Sequence, residues 1–227
     1  MDHAAAELSV PALHDSSRAR GTGGVTTIAT ITAAEIAPAA GLFVRAFPRI
    51  VRRLFADDGA ARRFYADLLE LMRRRHGETF FAARAEDGTL AGYLTLVPPG
   101  ETQAHWRQLA RMCGRLLTGA YGAPLRVVRR ALSRALTTEP IEMREARRTY
   151  PLVYVVALDE AWTGRGVGTL LMDRARQACA GRWNGIWLLV ERENDGAIRF
   201  YERQGFRRIA EHEGQLAMLW QLAPSST

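Results

Sequence analysis

Hydrophobic positions along this chain alternate in some stretches and recur every three to four residues in others, which predicts strands and helices in turn. Short runs that alternate, or that are rich in β-branched and aromatic residues, are typical of strands. They cover 25–31, 79–85, 90–97, 152–158, 186–191, 206–212 and 216–222. Helical spacing predicts helices near 38–47, from Asp57 or Asp58 to 75, and over 101–118, 123–136, 168–182 and 194–204.

Local signals mark several boundaries of these elements. Thr32 and Glu35 have the spacing of a capping box, which predicts a helix start directly after the first strand. The dipeptide Asp87-Gly88 suits a tight turn with positive dihedral angles between two antiparallel strands. Glu213-Gly214 lies between the last two strand runs, which predicts a final hairpin.

The chain divides into a leader, one domain and a short tail. Residues 1–24 are small and polar and predict a flexible leader, and 223–227 predict a tail. Residues 25–222 predict a single domain. Pro98-Pro99-Gly100 interrupts the strand pattern, so residues 99–150 are interpreted as a helical insertion between the third and fourth strands.

Composition restricts the class of protein. At 227 residues and 48% apolar content the chain suits one domain with a full core. It has no run approaching the roughly 20 apolar residues of a membrane-spanning helix. Two cysteines, Cys113 and Cys179, support neither a disulfide framework nor a four-ligand metal site, and the five histidines are scattered. A cytoplasmic protein without a bound metal is expected.

The charge is positive and unevenly placed. The net charge is +7, and all 31 basic residues are arginine because the sequence contains no lysine. Residues 101–150 hold ten arginines against four acidic residues, a local excess of six. Nucleic acid, a membrane surface or an anionic cofactor are therefore candidate partners. The absence of a recognised nucleic-acid-binding motif disfavours the first.

A glycine-rich loop follows the most strand-like run. Gly164, Gly166 and Gly168 alternate at the start of a predicted helix, where backbone N–H groups and the helix dipole favour an anion such as phosphate. A Walker loop needs a lysine, which the chain lacks. The dinucleotide fingerprint needs a third glycine where Leu171 stands, so both of these nucleotide-binding patterns are excluded.

Two motifs together resemble the GNAT superfamily of acyl-CoA-dependent N-acetyltransferases. The segment 163–168 (TGRGVG) is similar to the family's Gln/Arg-x-x-Gly-x-Gly/Ala motif, with Thr163 in place of Gln or Arg. The segment 194–206 (NDGAIRFYERQGF) is similar to the family's Asn-x-x-Ala-x-x-Phe/Leu-Tyr-Glu-x-x-Gly-Phe block. The resemblance covers about 152–209, and the long insertion loosely resembles the layout of puromycin-type acetyltransferases.

The resemblance implies a mixed α/β fold: a mostly antiparallel sheet with one splayed parallel strand pair and helices on both faces. It implies acetyl-CoA as cosubstrate, with its pantetheine arm between the splayed strands. The backbone of Ala157 and Leu158 is expected to pair with pantetheine, and Asn194 to contact the cofactor. The residues expected to hold the diphosphate are Gly164, Arg165, Gly166, Val167, Gly168 and Thr169.

Tyr201 matches the family tyrosine that protonates the departing thiolate. The base that deprotonates the amine stays unassigned. Asp159, Glu191 and Glu193 are candidates because each follows or ends a predicted strand. Family members with a glutamate base carry it on the strand before the glycine loop, and 152–156 offer no carboxylate.

The expected reaction is transfer of an acetyl group to a primary amine of a small molecule, by direct attack in a ternary complex. The insertion is a candidate wall of the acceptor site, where Trp106 or Tyr121 contact a hydrophobic amine and Glu142 or Glu145 attract its charge. Two alternatives stay open: a non-catalytic acetyl-CoA-binding sensor or interaction domain, and an arginine-rich nucleic-acid or membrane-surface binder. A homodimer is also open.

Overall fold

A computed structural model of the chain describes residues 24–100 and 139–222 and contains one seven-stranded sheet in the order β1-β2-β3-β4-β5-β7-β6. The strand pairs are antiparallel except β4 and β5, which run parallel. This arrangement confirms the expected fold class. The strands are β1 (Val25–Thr30), β2 (Phe80–Ala85), β3 (Leu90–Val97), β4 (Leu152–Leu158), β5 (Gly185–Glu191), β6 (Arg207–His212) and β7 (Gln215–Gln221).

Helices cover both faces of the sheet, as the resemblance implied. They are α1 (Ile36–Ala46), α2 (Pro48–Leu54), α3 (Asp58–His76), α4 (Ile141–Thr149), α5 (Val167–Cys179) and α6 (Asp195–Arg203). The buried side chains of α1 and α3 form one core cluster with one face of the strands, and those of α5 and α6 form a second cluster with the other. We call these two sides the α1–α3 face and the α5–α6 face.

Two predicted helix starts are confirmed by their hydrogen bonds. The Glu35 carboxylate accepts from the backbone N–H of Thr32 at 2.7 Å, which is one half of the expected capping box. The Asp57 carboxylate caps α3 by accepting from the backbone N–H of Ala60 at 2.7 Å. Arg84 of β2 also donates to Glu35 at 2.6 and 2.7 Å, so the first cap is tied to the sheet.

Some local expectations differ from the structure. The short helix α2 was not predicted, and Pro48 occupies its first position, where a proline is tolerated because no N–H is needed there. In the turn after β2 only Gly88 has a positive φ, at +80°, because the connection spans the four residues 86–89 and is therefore not the two-residue turn that requires two positive angles. The final turn has positive φ at both Glu213 and Gly214, as a two-residue hairpin turn requires.

Several predicted segments lie outside the described residues. They are the leader over 1–23, the helices predicted over 101–118 and 123–136, and the tail over 223–227. Within the described part of the connection between β3 and β4, residues 141–149 form α4. The division into leader, domain, insertion and tail therefore stays a prediction.

Candidate active site

The central feature of the sheet is a gap between its two parallel strands. Within these fully described strands, β4 pairs with β5 only at Leu152↔Trp187 and Val153↔Leu188. The β3–β4 register shifts between Thr95 and Leu96, which leaves Tyr154 as an extra residue in β4. Such a bulge bends its strand and increases the local twist. The expected splaying of β4 from β5 is thus confirmed, and it begins at the bulge.

The register of β4 decides which of its amides lie along the gap. The backbone N–H of Asp159 donates to Ala91 on β3 at 3.0 Å. Because hydrogen-bonding direction alternates along a strand, the amide groups of Ala157 are directed to β3, opposite Tyr93. Those of Val156 and Leu158 are directed to the gap. Of the two residues expected to pair with pantetheine, Leu158 directs its amide groups to the gap and Ala157 directs its amide groups to β3, so cofactor contact by either residue stays a prediction.

The glycine-rich loop has the backbone shape that an anion site needs. Gly164 and Gly166 adopt positive φ of +76° and +82°, which only glycine adopts without strain. Helix α5 begins at Val167 with no side-chain cap and no acidic residue in its first turn. The first amides of α5 are therefore available to a ligand, and the helix dipole adds positive potential there.

Side chains around this loop have local partners. The Arg165 guanidinium lies over the Trp162 ring, 5.4 Å from its centroid. The Thr163 hydroxyl donates to the backbone oxygen of Asp159 at 3.4 Å, and the Thr169 hydroxyl accepts from Gln204 at 3.1 Å. The Thr163 side chain thus helps to fold the loop, where the family motif has Gln or Arg.

Gly168 allows α5 and α6 to approach each other closely. A Cβ atom at Gly168 would lie 3.2 Å from the Phe200 ring and 3.4 Å from the Leu158 side chain. The glycine therefore serves the packing of α6 as well as the shape of the loop. Tyr201 follows Phe200 directly, so this contact also helps to fix the position of Tyr201 on the α5–α6 face.

Tyr201 is held in an aromatic cluster on the α5–α6 face. Its ring meets Phe200 and Phe206 edge-on, with centroids 5.2 and 5.7 Å away. Burial raises the pKa of the Tyr201 hydroxyl to about 12. The hydroxyl is therefore protonated at neutral pH and can donate a proton or a hydrogen bond. Asn194 caps the same helix by accepting from the backbone N–H of Ala197 at 3.1 Å.

A hydrogen-bond network that sequence reasoning missed ties α6 to α5. Arg176 donates to the backbone oxygen of Gln204 at 2.5 Å, to its side-chain oxygen at 3.1 Å, and to Asp173 at 2.7 Å. Its guanidinium also lies 5.1 Å from the Trp220 ring centroid. Gln204 stands three residues after Tyr201, so the network fixes the end of the helix that carries it. No local motif links Arg176 to Gln204.

The candidate bases occupy different environments. Asp159 forms an ion pair with Arg45 at 2.8 Å and caps the following turn by accepting from Ala161. The hydrogen bond from Arg45 lowers the pKa of the Asp159 carboxyl, which makes it a weak base. Glu191 ends β5 opposite Gln215, and Glu193 is exposed in the loop before α6.

The predicted acceptor residues are only partly described. Glu142 and Glu145 are exposed on α4, while Met143 and Ala146 turn inward. Trp106 and Tyr121 lie outside the described residues. A cavity of about 600 Å³ lies beside α1, with Arg45, Asp159 and Trp162 in its wall. Its lining includes none of the predicted cofactor or acceptor residues.

The remaining cysteine, metal-site and membrane-helix candidates give no sign of a functional site among the described residues. Cys179 is fully buried, and burial raises the pKa of its thiol to about 11, which is typical of a core residue. Across 24–100 and 139–222, no group of three His, Cys, Asp or Glu side chains is arranged to hold a metal ion. None of the helices in these ranges combines the length and apolar character that crossing a membrane requires.

Comparison with known proteins agrees with this geometry. Residues 138–208 match the family model described as "Acetyltransferase (GNAT) domain". This stretch, which is less than half of the chain, is thus similar to a GNAT acetyltransferase domain. The resemblance that the two sequence motifs suggested is thereby confirmed. This match includes the bulge, the glycine-rich loop and Tyr201.

One curated protein to which the chain is similar is a mycothiol acetyltransferase from Kineococcus radiotolerans, 40% identical over 58 residues. The match covers 26% of this chain and 19% of that protein, so the chain spans about a fifth of the relative's length. An acetyltransferase is therefore supported, while the acceptor is not carried over from this match.

Solved structures share the GNAT fold over most of the chain. Histone acetyltransferase HPA2 and related acetyltransferase from Corynebacterium glutamicum aligns with a TM-score of 0.58 and 19% identity, over 89% of this chain and 99% of that chain. PaiA N-acetyltransferase from Thermoplasma acidophilum, in complex with coenzyme A, aligns with a TM-score of 0.52 and 14% identity, over 86% and 98%. At these identities the likeness concerns the fold. A cytoplasmic location, a homodimer and binding by the arginine-rich segment stay predictions.

Proposed function

We propose that this GNAT domain is an N-acetyltransferase that moves an acetyl group from acetyl-CoA to a primary amine of a small molecule, by direct attack in a ternary complex. One observation carries the proposal: the gap opened by the Tyr154 bulge exposes the amides of Val156 and Leu158 and leads to the uncapped N-terminus of α5. A thioester and a diphosphate on one extended molecule match these two features.

The loop and the first turn of α5 are suited to the diphosphate. The amides of residues 164–169 surround the helix start, and two left-handed glycines turn the backbone without a Cβ atom. Oriented backbone amides at a helix N-terminus bind phosphate groups without a side-chain ligand. Thr163 in place of Gln or Arg therefore leaves this part of the proposed site intact. Asn194 Oδ1 is used in its helix cap, so its amide group is the part left for the cofactor.

Acetyl-CoA, when bound, supplies the acetyl group as a thioester. The Leu158 amide then acts as a fixed donor to the carbonyl oxygen, which gains negative charge as the amine attacks. One such oxyanion donor is worth about 3 kcal/mol of barrier in comparable sites. The Val156 amide groups bind the pantetheine arm, in the place that sequence reasoning gave to Ala157.

Tyr201 is the proposed acid. As the carbon–nitrogen bond forms and the carbon–sulfur bond breaks, its hydroxyl gives a proton to the thiolate, and the phenol regains one from water. Its pKa of about 12 exceeds the roughly 8.5 of an ordinary thiol, so the hydroxyl is fully protonated beforehand and the transfer is uphill. Close placement and prompt reprotonation are therefore needed.

The test combines binding with turnover. Calorimetry with CoA should show binding that weakens strongly in Gly166→Val, because a branched side chain at φ +82° is strained and fills the loop. A thiol-release assay with acetyl-CoA over a panel of small primary amines should show turnover. Absence of CoA binding by the folded wild-type protein rejects the proposal.

The alternative of a non-catalytic acetyl-CoA sensor is favoured by one observation. Asp159, which directly follows β4, is paired with Arg45 and is a weak base. A sensor would bind CoA with the same dependence on Gly166 but release no thiol with any amine. The same two assays therefore separate the sensor from the enzyme.

A further inference from the structure

Two buried hydroxyls stand next to the bulge on the α1–α3 face. Tyr93 and Thr95 are neighbours on that face of β3, and both are 0% exposed. Neither the Tyr93 nor the Thr95 hydroxyl has a hydrogen-bond partner among the described residues. In the β3–β4 register Thr95 lies opposite Val155, directly beside the extra residue Tyr154.

Two more hydroxyls reach the same place from other elements. Tyr65 of α3 is 7% exposed and stacks on Phe43, with ring centroids 3.7 Å apart. Tyr154 is 38% exposed, so one side of it meets solvent. Burial and the electrostatic influence of Tyr65 and Tyr154 both raise the pKa of Tyr93, which indicates that the three phenols lie close together. We call Tyr65, Tyr93, Thr95 and Tyr154 the hydroxyl cluster.

A buried hydroxyl without a partner is unfavourable, and two adjacent ones indicate a site that a polar ligand or ordered water completes. Phenylalanine and valine would fill the same volumes without that penalty. Each hydroxyl can accept a hydrogen bond as well as donate one. The phenols are neutral because their pKa values are raised above the ordinary range. The cluster therefore suits a donor-rich neutral group, such as an amine or water, better than an anion.

The position of the cluster relates it to the reaction. It lies at the bulge where the gap opens, on the face opposite Tyr201. Within the cluster only Tyr154 is more than a tenth exposed, so an acceptor arriving from the α1–α3 face would meet Tyr154, with the hydroxyls of Tyr93 and Thr95 buried behind it. Tyr154, which is both in the bulge and partly exposed, connects this interior site with solvent.

We propose that the hydroxyl cluster serves the amine of the acceptor: its partly exposed member, Tyr154, accepts a hydrogen bond from the amine N–H, and the buried hydroxyls of Tyr93 and Thr95 hold the water that carries the amine's proton away. This inference rests on the proposed acetyl transfer. As the carbon–nitrogen bond forms, the amine proton passes to water held by Tyr93 and Thr95 and leaves past Tyr154 to bulk solvent. The sulfur receives its proton separately from Tyr201. No carboxylate base is needed in this scheme.

The test compares three variants of the cluster, Tyr93→Phe, Thr95→Val and Tyr154→Phe, with the matched control Tyr150→Phe. The Tyr150 hydroxyl does not belong to the cluster and accepts a hydrogen bond of 2.7 Å from Gln221. Each cluster variant should lower kcat/KM for the amine about tenfold or more, the effect of one lost hydrogen bond in a site. The affinity for CoA should stay within about twofold. Tyr93→Phe should not lower the melting temperature, because an unpartnered hydroxyl is removed.

If kcat/KM for the amine is unchanged in both Tyr93→Phe and Tyr154→Phe while CoA still binds, the role of the cluster is rejected and the proposed function is not affected. Activity that falls only in step with the melting temperature also overturns it, since that pattern indicates a structural role. Failure of the wild-type protein to bind CoA instead rejects the proposed function, and the acceptor role with it. The cluster then still has its own readout, which is ordered water within hydrogen-bond distance of Tyr93 and Thr95 in a high-resolution crystal structure. If no ordered water lies within hydrogen-bond distance of the Tyr93 and Thr95 hydroxyls, the cluster is not a binding site for water.

Discussion

The two faces of the sheet differ in how many hydrogen bonds their buried polar side chains make. On the α5–α6 face, Arg176 donates to Asp173 and Gln204, and Gln204 donates to Thr169, so these side chains pair with one another, although Arg176 Nε has no partner among the described residues. On the α1–α3 face, Tyr93 and Thr95 keep buried hydroxyls that no described residue satisfies.

A network of paired side chains favours one geometry, which suits a face that must hold Tyr201 in a fixed position. Unsatisfied hydroxyls gain most when a ligand arrives, which suits a face that receives a substrate. The difference indicates a division of labour: the α5–α6 face is organised before binding, and the α1–α3 face is completed by binding.

The largest expected effect tests the α5–α6 face directly. Tyr201→Phe should lower kcat by about 10²–10⁴, the usual contribution of a general acid, with little change in CoA affinity. In the wild type the pKa of about 12 keeps this phenol protonated, so the rate should not fall through loss of its proton between pH 7 and about 10. Stopped-flow or steady-state thiol release measures the kcat of the variant and the pH dependence of the wild-type rate. A variant that mainly raises KM for the amine would contradict the division of labour.

A second test displaces β4, which is one of the two strands that border the gap, from its neighbour β3. A Cβ atom at Gly92 would lie 2.5 Å from the Leu158 side chain and 2.9 Å from the Ala157 backbone oxygen. Gly92→Ala should therefore destabilise the fold by about 1–3 kcal/mol and weaken CoA binding by moving β4. Urea unfolding and calorimetry measure the two effects.

Gly196→Ala is the matched control for Gly92→Ala, because its new Cβ atom would meet nothing nearer than 3.8 Å and it lies in a helix. It should be neutral or stabilising by up to about 1 kcal/mol. Equal losses in the two variants would show that the contact with Leu158 is not the cause.

Removal of Arg176 should show how far the network supports Tyr201. Arg176→Ala leaves Gln204 without its donor and should cost about 2–3 kcal/mol of unfolding free energy. It should also lower kcat, because the end of α6 loosens, while the amine KM changes little. Arg192→Ala breaks an exposed pair with Glu211 and is expected to cost at most about 1 kcal/mol. A loss of stability without any loss of kcat would separate the network from Tyr201.

The smallest effect concerns the ion pair between Glu35 and Arg84, which ties α1 to β2. Burial raises the pKa of the Glu35 carboxyl, but hydrogen bonds from Arg84 and Thr32 outweigh it and leave the pKa lowered. A lowered folded-state pKa contributes stability above the unfolded value near 4.5 that is lost as pH falls through the folded value. Glu35→Gln should thus cost about 1 kcal/mol at pH 7 and less below about pH 4.

Glu78→Gln, which alters an exposed pair with Arg182, is the control for Glu35→Gln and should show a difference near zero at every pH. Thermal unfolding across pH 3–7 follows both. A cost for Glu35→Gln that does not shrink in acid would mean that the pair contributes little to the fold.

The sequence by itself determined the elements around the glycine-rich loop. The strand 152–158, the helix start near Val167 and the cap at Asn194 depend on side-chain alternation, glycine conformations and cap residues, and each of these acts within a few residues. For the same reason the caps at Thr32 and Asp57 were predictable, whereas the role of Tyr201 as an acid was implied by the family resemblance and stays a prediction.

The family resemblance implied the gap, but only the tertiary structure decided where it opens and what lies along it. The Tyr154 bulge, the exchange of Ala157 for Val156 and the hydroxyl cluster all depend on the register between β3 and β4, which a one-residue shift would reverse. The pairs Arg45–Asp159 and Arg176–Gln204 join residues 114 and 28 positions apart. Such contacts follow from the packing of whole elements, and local propensities along the chain carry no signal of them.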